Sequence, residues 1–159
     1  MSPNKHLPHV LVLPEDDANR QLANGFHLEL ASPRQIQVLP VVGGWMEVLE
    51  SFNSDHVSYM NKFPGRLMIL SIDFDDQEDR LEKAKARIPG HLIDRVFILG
   101  VRSEPEDLKA DLGSSCETIG GAMARDCRER TGMTWGHPLL RHNAGEIERL
   151  HERVRPVLF

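Results

Sequence analysis

Cysteine is scarce in this chain: Cys116 and Cys127 are the only two in 159 residues. They stand eleven positions apart, about three helical turns, which puts them on one helix face but too far apart to bridge. No disulfide framework is expected, and reduced, core-packed thiols are. Long apolar runs are missing as well. No stretch approaches the roughly 20 residues of a membrane span, and the opening Met-Ser-Pro-Asn-Lys-His has no apolar signal region. The expectation is a cytoplasmic protein with no membrane partner. Excess positive charge is also absent. A net charge of −5 argues against a nonspecific, charge-driven nucleic-acid binder. There is no internal repeat and no low-complexity segment.

What is present suits one globular domain: 40% hydrophobic and 27% charged residues over a length sufficient for one core. Charge is uneven. Residues 122–159 carry seven Arg and five acids, whereas residues 1–121 carry nineteen acids and twelve bases. An acidic body with a basic tail suits a metal site beside an anion-binding surface, and equally suits no function.

Short apolar runs alternate with helical stripes. His9–Leu13 reads as a buried strand. Asp16–Leu30 reads as a helix through Ala18, Leu22, Phe26 and Leu30, weakened by Gly25. Ile36–Val42 reads as a second strand ending at Gly43-Gly44, followed by a helix striped by Trp45, Val48, Leu49 and Phe52. Residues 53–64 are less regular. Leu67–Ile72 is the third strand, Leu81, Ala84 and Ile88 stripe a third helix ended by Pro89-Gly90, and Arg95–Leu99 is the fourth strand. Beyond Gly100 the pattern is helical. Ser103-Glu104-Pro105-Glu106 and Asn143-Ala144-Gly145-Glu146 both read as capping boxes, and Ser115–Arg130 reads as a helix. The expected fold is α/β: a four-stranded, mainly parallel, Rossmann-like sheet with helices on both faces and a helical C-terminal extension. The division is a core over 1–108 and the extension over 109–159, packed on the same domain.

Ligand sites of such sheets lie beyond the C-terminal strand ends. Strand one delivers Glu15-Asp16-Asp17 there, and strand three delivers Asp73-Phe74-Asp75-Asp76. Extended alternation puts Asp73 and Asp75 on one side. With Glu15 they form a set of repelling carboxylates that a hard cation, Mg²⁺ or Mn²⁺, relieves. The competing reading is helix capping, which suffices for Asp16, Asp17, Asp76, Glu78 and Asp79.

Glu after strand one, a Val41-Val42-Gly43-Gly44 turn after strand two and Asp73-x-Asp75 after strand three resemble the Toprim domain over about residues 9–108. The likeness is to small Toprim proteins related to the OLD (overcoming lysogenization defect) nucleases. It implies a metal-dependent nuclease, with Glu15 as general acid/base or ligand and Asp73 and Asp75 binding the metal. Asp16 replaces the family's usual Gly, and Asn19 stands where an acid often does, able to ligate through its carbonyl oxygen. The family's downstream basic residue has two candidates near strand four, Arg102 and Lys109. Gly43 and Gly44 read either as lining a phosphate or metal approach for substrate, or as a pair that only turns the chain into a helix. The resemblance further implies nucleic acid as partner, DNA ahead of RNA, and an ATPase partner in phage defence. A topoisomerase is set aside, because the single Tyr59 lies in no separate domain. The alternatives are a catalytically degenerate Toprim-like binding subunit, and a response-regulator receiver domain phosphorylated on Asp73. The second rests on the likeness of Val10–Arg20 to a receiver's start, with Ser103 as the hydroxyl after strand four. The 56-residue spacing from Asp17 to Asp73 and the missing fifth strand with its Lys speak against it.

His137, His142 and His151 match no zinc spacing. Arg125, Arg128, Arg130, Arg141, Arg149, Arg153 and Arg155 form a candidate basic face, with solvated helix surface as the default reading.

Overall fold

Continuous apolar runs on strands, flanked by helical stripes, produce a sheet covered on both faces. The computed structural model describes residues 2–31 and 33–159. Its four strands, β1 (His9–Pro14), β2 (Ile36–Val38), β3 (Arg66–Ser71) and β4 (Val96–Leu99), form one all-parallel sheet in the order β2-β1-β3-β4. Val38, Val12, Ile69 and Phe97 lie in one row across it.

Val10, Val12, Leu67, Ile69, Phe97 and Leu99 face one core layer, closed by α1 (Asp17–Leu28), α6 (Cys116–Glu129), α7 (Ala144–Arg153) and α8 (Arg155–Leu158). Leu11, Leu13, Met68, Leu70, Val96 and Ile98 face the other, beneath α2 (Trp45–Ser51), α3 (Val57–Lys62) and α4 (Arg80–Ala86). The C-terminal helices thus share the core of the sheet. The boundary drawn at 108 falls inside α5 (Pro105–Leu112). Cys116 and Cys127 are buried and unbridged, as their spacing suggested.

Several local expectations give way to tertiary causes. β2 stops at Val38, short of Val42, because the next β1 donor the ladder needs, opposite Leu39 O, is Pro14, which has no N–H. The chain still follows β1, since the N–H groups of Leu39 and Gly43 donate to Val12 O and Glu15 O, both at 2.8 Å. Residues 53–62 are helical, and their lesser regularity has one source. A single π-helical turn, Phe52–His56, joins α2 to α3. Gly25 is no weak point. A Cβ there would sit 1.9 Å from Glu117 O, and one on Gly120 would sit 2.0 Å from Leu22 O. These two glycines let α1 and α6 cross in backbone contact.

Neither capping box forms. Glu104, not Ser103, caps α5, with Pro105 in its first turn and no side-chain cap bond. Asn143 and Glu146 serve the sheet. β4 is an edge strand, and its unpaired backbone groups would otherwise invite another strand. Asn143 accepts from Gly100 N–H (3.2 Å) and donates to Gly100 O (2.9 Å). Glu146, 2% exposed, accepts from Ile98 N–H at 3.2 Å. Arg149 donates to Val96 O (3.1 Å) and pairs with Glu146 (2.7 Å), which also meets Lys85. Spaced three apart, Asn143, Glu146 and Arg149 form one helical stripe lying where a fifth strand would.

Candidate functional site

The order β2-β1-β3-β4 reverses direction between β1 and β3, and in doubly wound sheets ligands bind at that switch, beyond the C-terminal strand ends. Glu15 follows β1 and Asp73 follows β3 by two residues, so both stand at the switch. They are joined directly: the Asp73 N–H donates to Glu15 Oε2 at 2.6 Å.

Asn19, fully buried on the first turn of α1, organises the rest. Its amide nitrogen donates to Asp73 Oδ1 (2.7 Å) and Asp16 Oδ1 (2.9 Å), and its carbonyl accepts from Ser71 Oγ (2.9 Å). The two carboxylates fix the amide's orientation, since only NH₂ can satisfy them. Asn19 is therefore a brace between α1 and β3. The oxygen expected to ligate a metal is already taken by Ser71. Asp16 caps α1 through Asn19 N–H (2.9 Å), as capping predicts, and lies within the cluster.

Asp75 departs from expectation. β3 ends at Ser71, and Asp75 and Asp76 adopt left-handed backbone, φ 47° and 57°. Strand alternation fails there. Asp75 is exposed and ion-paired with Arg80 at 2.6 Å rather than set beside Asp73. Arg80, buried, also donates to Asp73 O (2.8 Å) and stacks over Trp45 at 4.4 Å. It is the basic residue of this edge, and its position on α4, seven residues after Asp73, carried no recognisable signal. Ser71, the last residue of β3, carries no motif signal either.

The remaining predicted residues divide. Gly43 bonds Glu15 O and has φ 96°, a left-handed geometry that requires glycine; Gly44 starts α2. Gly43 is thus beside Glu15. Arg102 turns to Asp76 and Glu78 at 3.9 Å and lines a separate pocket of about 240 Å³ with Phe74 and His142. Lys109 projects from the exposed side of α5 near Cys116 and forms no ion pair with the acids. The seven arginines do not make one face. Arg149 holds the β4 edge, Arg155 donates to Cys127 O and Arg128 O, and Arg125 pairs with Glu29.

Burial pushes the Asp73 carboxyl up to about 7, with Asp16, Glu15 and Asp75 adding repulsion that the Asn19 bond offsets only in part. Burial likewise raises Glu15, against the pull of the Asp73 N–H. Among the described residues, no three His, Cys, Asp or Glu side chains are arranged around one point. The edge offers instead a carboxylate pair, Glu15 and Asp73, with Asp16 adjacent. Glu15 Oε1, Asp73 Oδ2 and Asp16 Oδ2 accept no hydrogen bond among the described residues. That donor set fits Mg²⁺, which takes one or two carboxylates and keeps several waters.

Below this edge, between the sheet and α1, α6 and α7, is an apolar cavity of about 70 Å³ with Asn19 and Ser71 at its polar end. Burial pushes the Cys127 thiol on its wall up to about 11, so that thiol is inert. Among the described residues no helix is long and apolar enough to cross a membrane. No family model, curated protein or solved structure matches the chain.

Proposed function

We propose that the chain is a divalent-cation-dependent, Toprim-like phosphodiester-processing domain in which Glu15 and Asp73 hold Mg²⁺ or Mn²⁺. The observation that carries this reading is the buried Asp73 carboxylate at the sheet's switch point, beside Glu15 and Asp16 and pushed up to about 7 by burial and like charge. A site kept at this electrostatic cost, with unfilled carboxylate oxygens, is what a hard cation relieves.

Such an ion supplies Lewis-acid polarisation of a phosphoryl oxygen and an acidified water. The chain's own groups do the rest. Asp73 N–H anchors one Glu15 oxygen, leaving Oε1 to hold or pass a proton, and burial raises this carboxyl toward that role. Asn19 and Arg80 set the position of Asp73 through its side chain and its carbonyl. Gly43, with open space where a Cβ would be, leaves room beside Glu15 for a phosphate backbone. Nucleic acid, DNA first, is the substrate class this reading implies, and an ATPase partner in phage defence is its biological setting.

Cleavage of plasmid and single-stranded DNA and of RNA, with Mg²⁺ or Mn²⁺, tests the mechanism against Glu15→Ala and Asp73→Ala. Cleavage unchanged by both substitutions sinks it. Cation binding without cleavage would instead favour a degenerate binding subunit.

One observation favours a second reading. The order β2-β1-β3-β4 is the first four strands of the flavodoxin-like sheet that receivers share, with Asp73 where they carry their phospho-acceptor. Against it, the Asn143–Glu146–Arg149 stripe occupies the fifth-strand position. Acetyl phosphate labelling of Asp73 would establish this reading, and its absence removes it.

A further inference from the structure

At the far end of β3 from the acids, Arg66 opens the strand and is 6% exposed. A buried guanidinium ordinarily finds a carboxylate or several carbonyls for its five N–H donors. Arg66 has neither. Among the described residues its one side-chain hydrogen bond runs from Nε to His9 Nε2, at 3.0 Å. His9 is fully buried, and its Nδ1 lies 2.8 Å from Leu7 O. The proton therefore sits on Nδ1, and Nε2 is a bare acceptor. Burial, reinforced by Arg66 and Lys5, holds His9 below its ordinary pKa and so neutral. The pair keeps the full arginine charge, and the terminal guanidinium nitrogens have no acceptor among the described residues.

Arg66 borders a pocket of about 230 Å³, lined also by Lys5, Gln37, His56 and Tyr59. The Tyr59 and Phe63 rings flank the guanidinium, 5.6 and 5.3 Å from its carbon, and steady its plane without neutralising it. Among the described residues Asp55 is the pocket's one acid. It accepts from Ser51 Oγ at 3.3 Å and forms no ion pair with Arg66. Asp55 and His56 reach the pocket because the π-turn Phe52–His56 interrupts the α2–α3 helix there. Single π-turns set into helices recur at functional sites.

We propose that this pocket binds a small phosphate monoester, with the phosphate held by the free end of Arg66 and by Lys5, and with Gln37 and His56 as neutral hydrogen-bond partners. Two permanent cations and no acid paired to Arg66 favour a dianion over a carboxylate. The unengaged guanidinium edge offers the two parallel N–H groups that phosphate oxygens accept. The volume of about 230 Å³ falls below the range of drug-sized ligand pockets and admits one small molecule, not a duplex. The six-residue length of β3, roughly 20 Å, separates this pocket from the acidic edge, so it does not depend on the reaction proposed there.

Calorimetry on the intact protein with inorganic phosphate and AMP, and with adenosine and acetate as controls, tests the assignment. One molecule of AMP or phosphate per chain is expected, with no heat from adenosine or acetate. Lys5→Ala should weaken binding about tenfold, the loss of one charged hydrogen bond, and Arg66→Gln should abolish it. If circular dichroism shows that Arg66→Gln is unfolded, Lys5→Ala and His56→Ala decide, since both residues border the pocket without anchoring the strand. No saturable binding of phosphate or AMP at millimolar concentration overturns the proposal. So does binding undiminished in the folded variants, or acetate or adenosine binding as well as AMP.

Discussion

Replacing Asp73 with Asn should stabilise the metal-free protein, and by more at higher pH. The ordinary aspartate value of 3.8 is displaced to about 7 in the fold. Below pH 3.8 the carboxyl is protonated whether the chain is folded or not, and its ionisation costs nothing. Between 3.8 and about 7 the folded state keeps a proton that the unfolded state has released, so stability falls as pH rises. Above about 7 both states are ionised and the full cost is present. At about 1.4 kcal/mol per pH unit the displacement corresponds to roughly 4 kcal/mol. Burial of Asp73 itself is the largest cause, and a buried amide still carries a desolvation cost of its own, so about 2 kcal/mol is taken as the gain on removing the charge. The amide keeps an oxygen for Asn19 and removes the charge. For a chain of this length about 2 kcal/mol raises the melting midpoint by roughly 4–8 °C. Thermal melts with EDTA should show that gain near pH 8 and little of it near pH 4. A variant no more stable than wild type at pH 8, or equally stabilised at both pH values, would refute the electrostatic description of the edge.

Asn143→Ala should lower stability by about 2–3 kcal/mol in urea titrations, because it strands both backbone groups of Gly100 at a covered edge. Glu146→Ala should cost about 3–5 kcal/mol, because it leaves Lys85 and Arg149 without their buried carboxylate. A loss under about 0.5 kcal/mol from either would show that α7 does not guard β4. Gly25→Ala and Gly120→Ala should each destabilise by about 3 kcal/mol, since the new Cβ meets backbone at 1.9 and 2.0 Å. Unchanged melts would disprove the close crossing of α1 and α6.

Much of this is legible in the sequence. β1, β3 and β4 are continuous apolar runs, and only a sheet covered on both faces needs them. Their ends then locate Glu15 and Asp73 at the switch point. Legibility ended where a role depends on what packs nearby. Asp75 was grouped with Asp73 by a two-residue period that does not survive the end of β3 at Ser71. Asn143 and Glu146 carry the local spacing of a cap, yet an unpaired strand edge takes their hydrogen bonds. Gly25 is costly in an isolated helix, and only the approach of α6 makes it necessary. Arg80 and Arg66 look like surface charges until the sheet buries them.

The most direct test of the central claim is Mn²⁺ binding, followed by electron paramagnetic resonance on the intact protein and repeated with Asp73→Asn and Glu15→Gln. One saturable ion per chain, displaced by Mg²⁺ and lost in Asp73→Asn, is the expected result. No saturable binding in the wild type, or binding undiminished in both variants, would mean that this carboxylate edge is not a metal site.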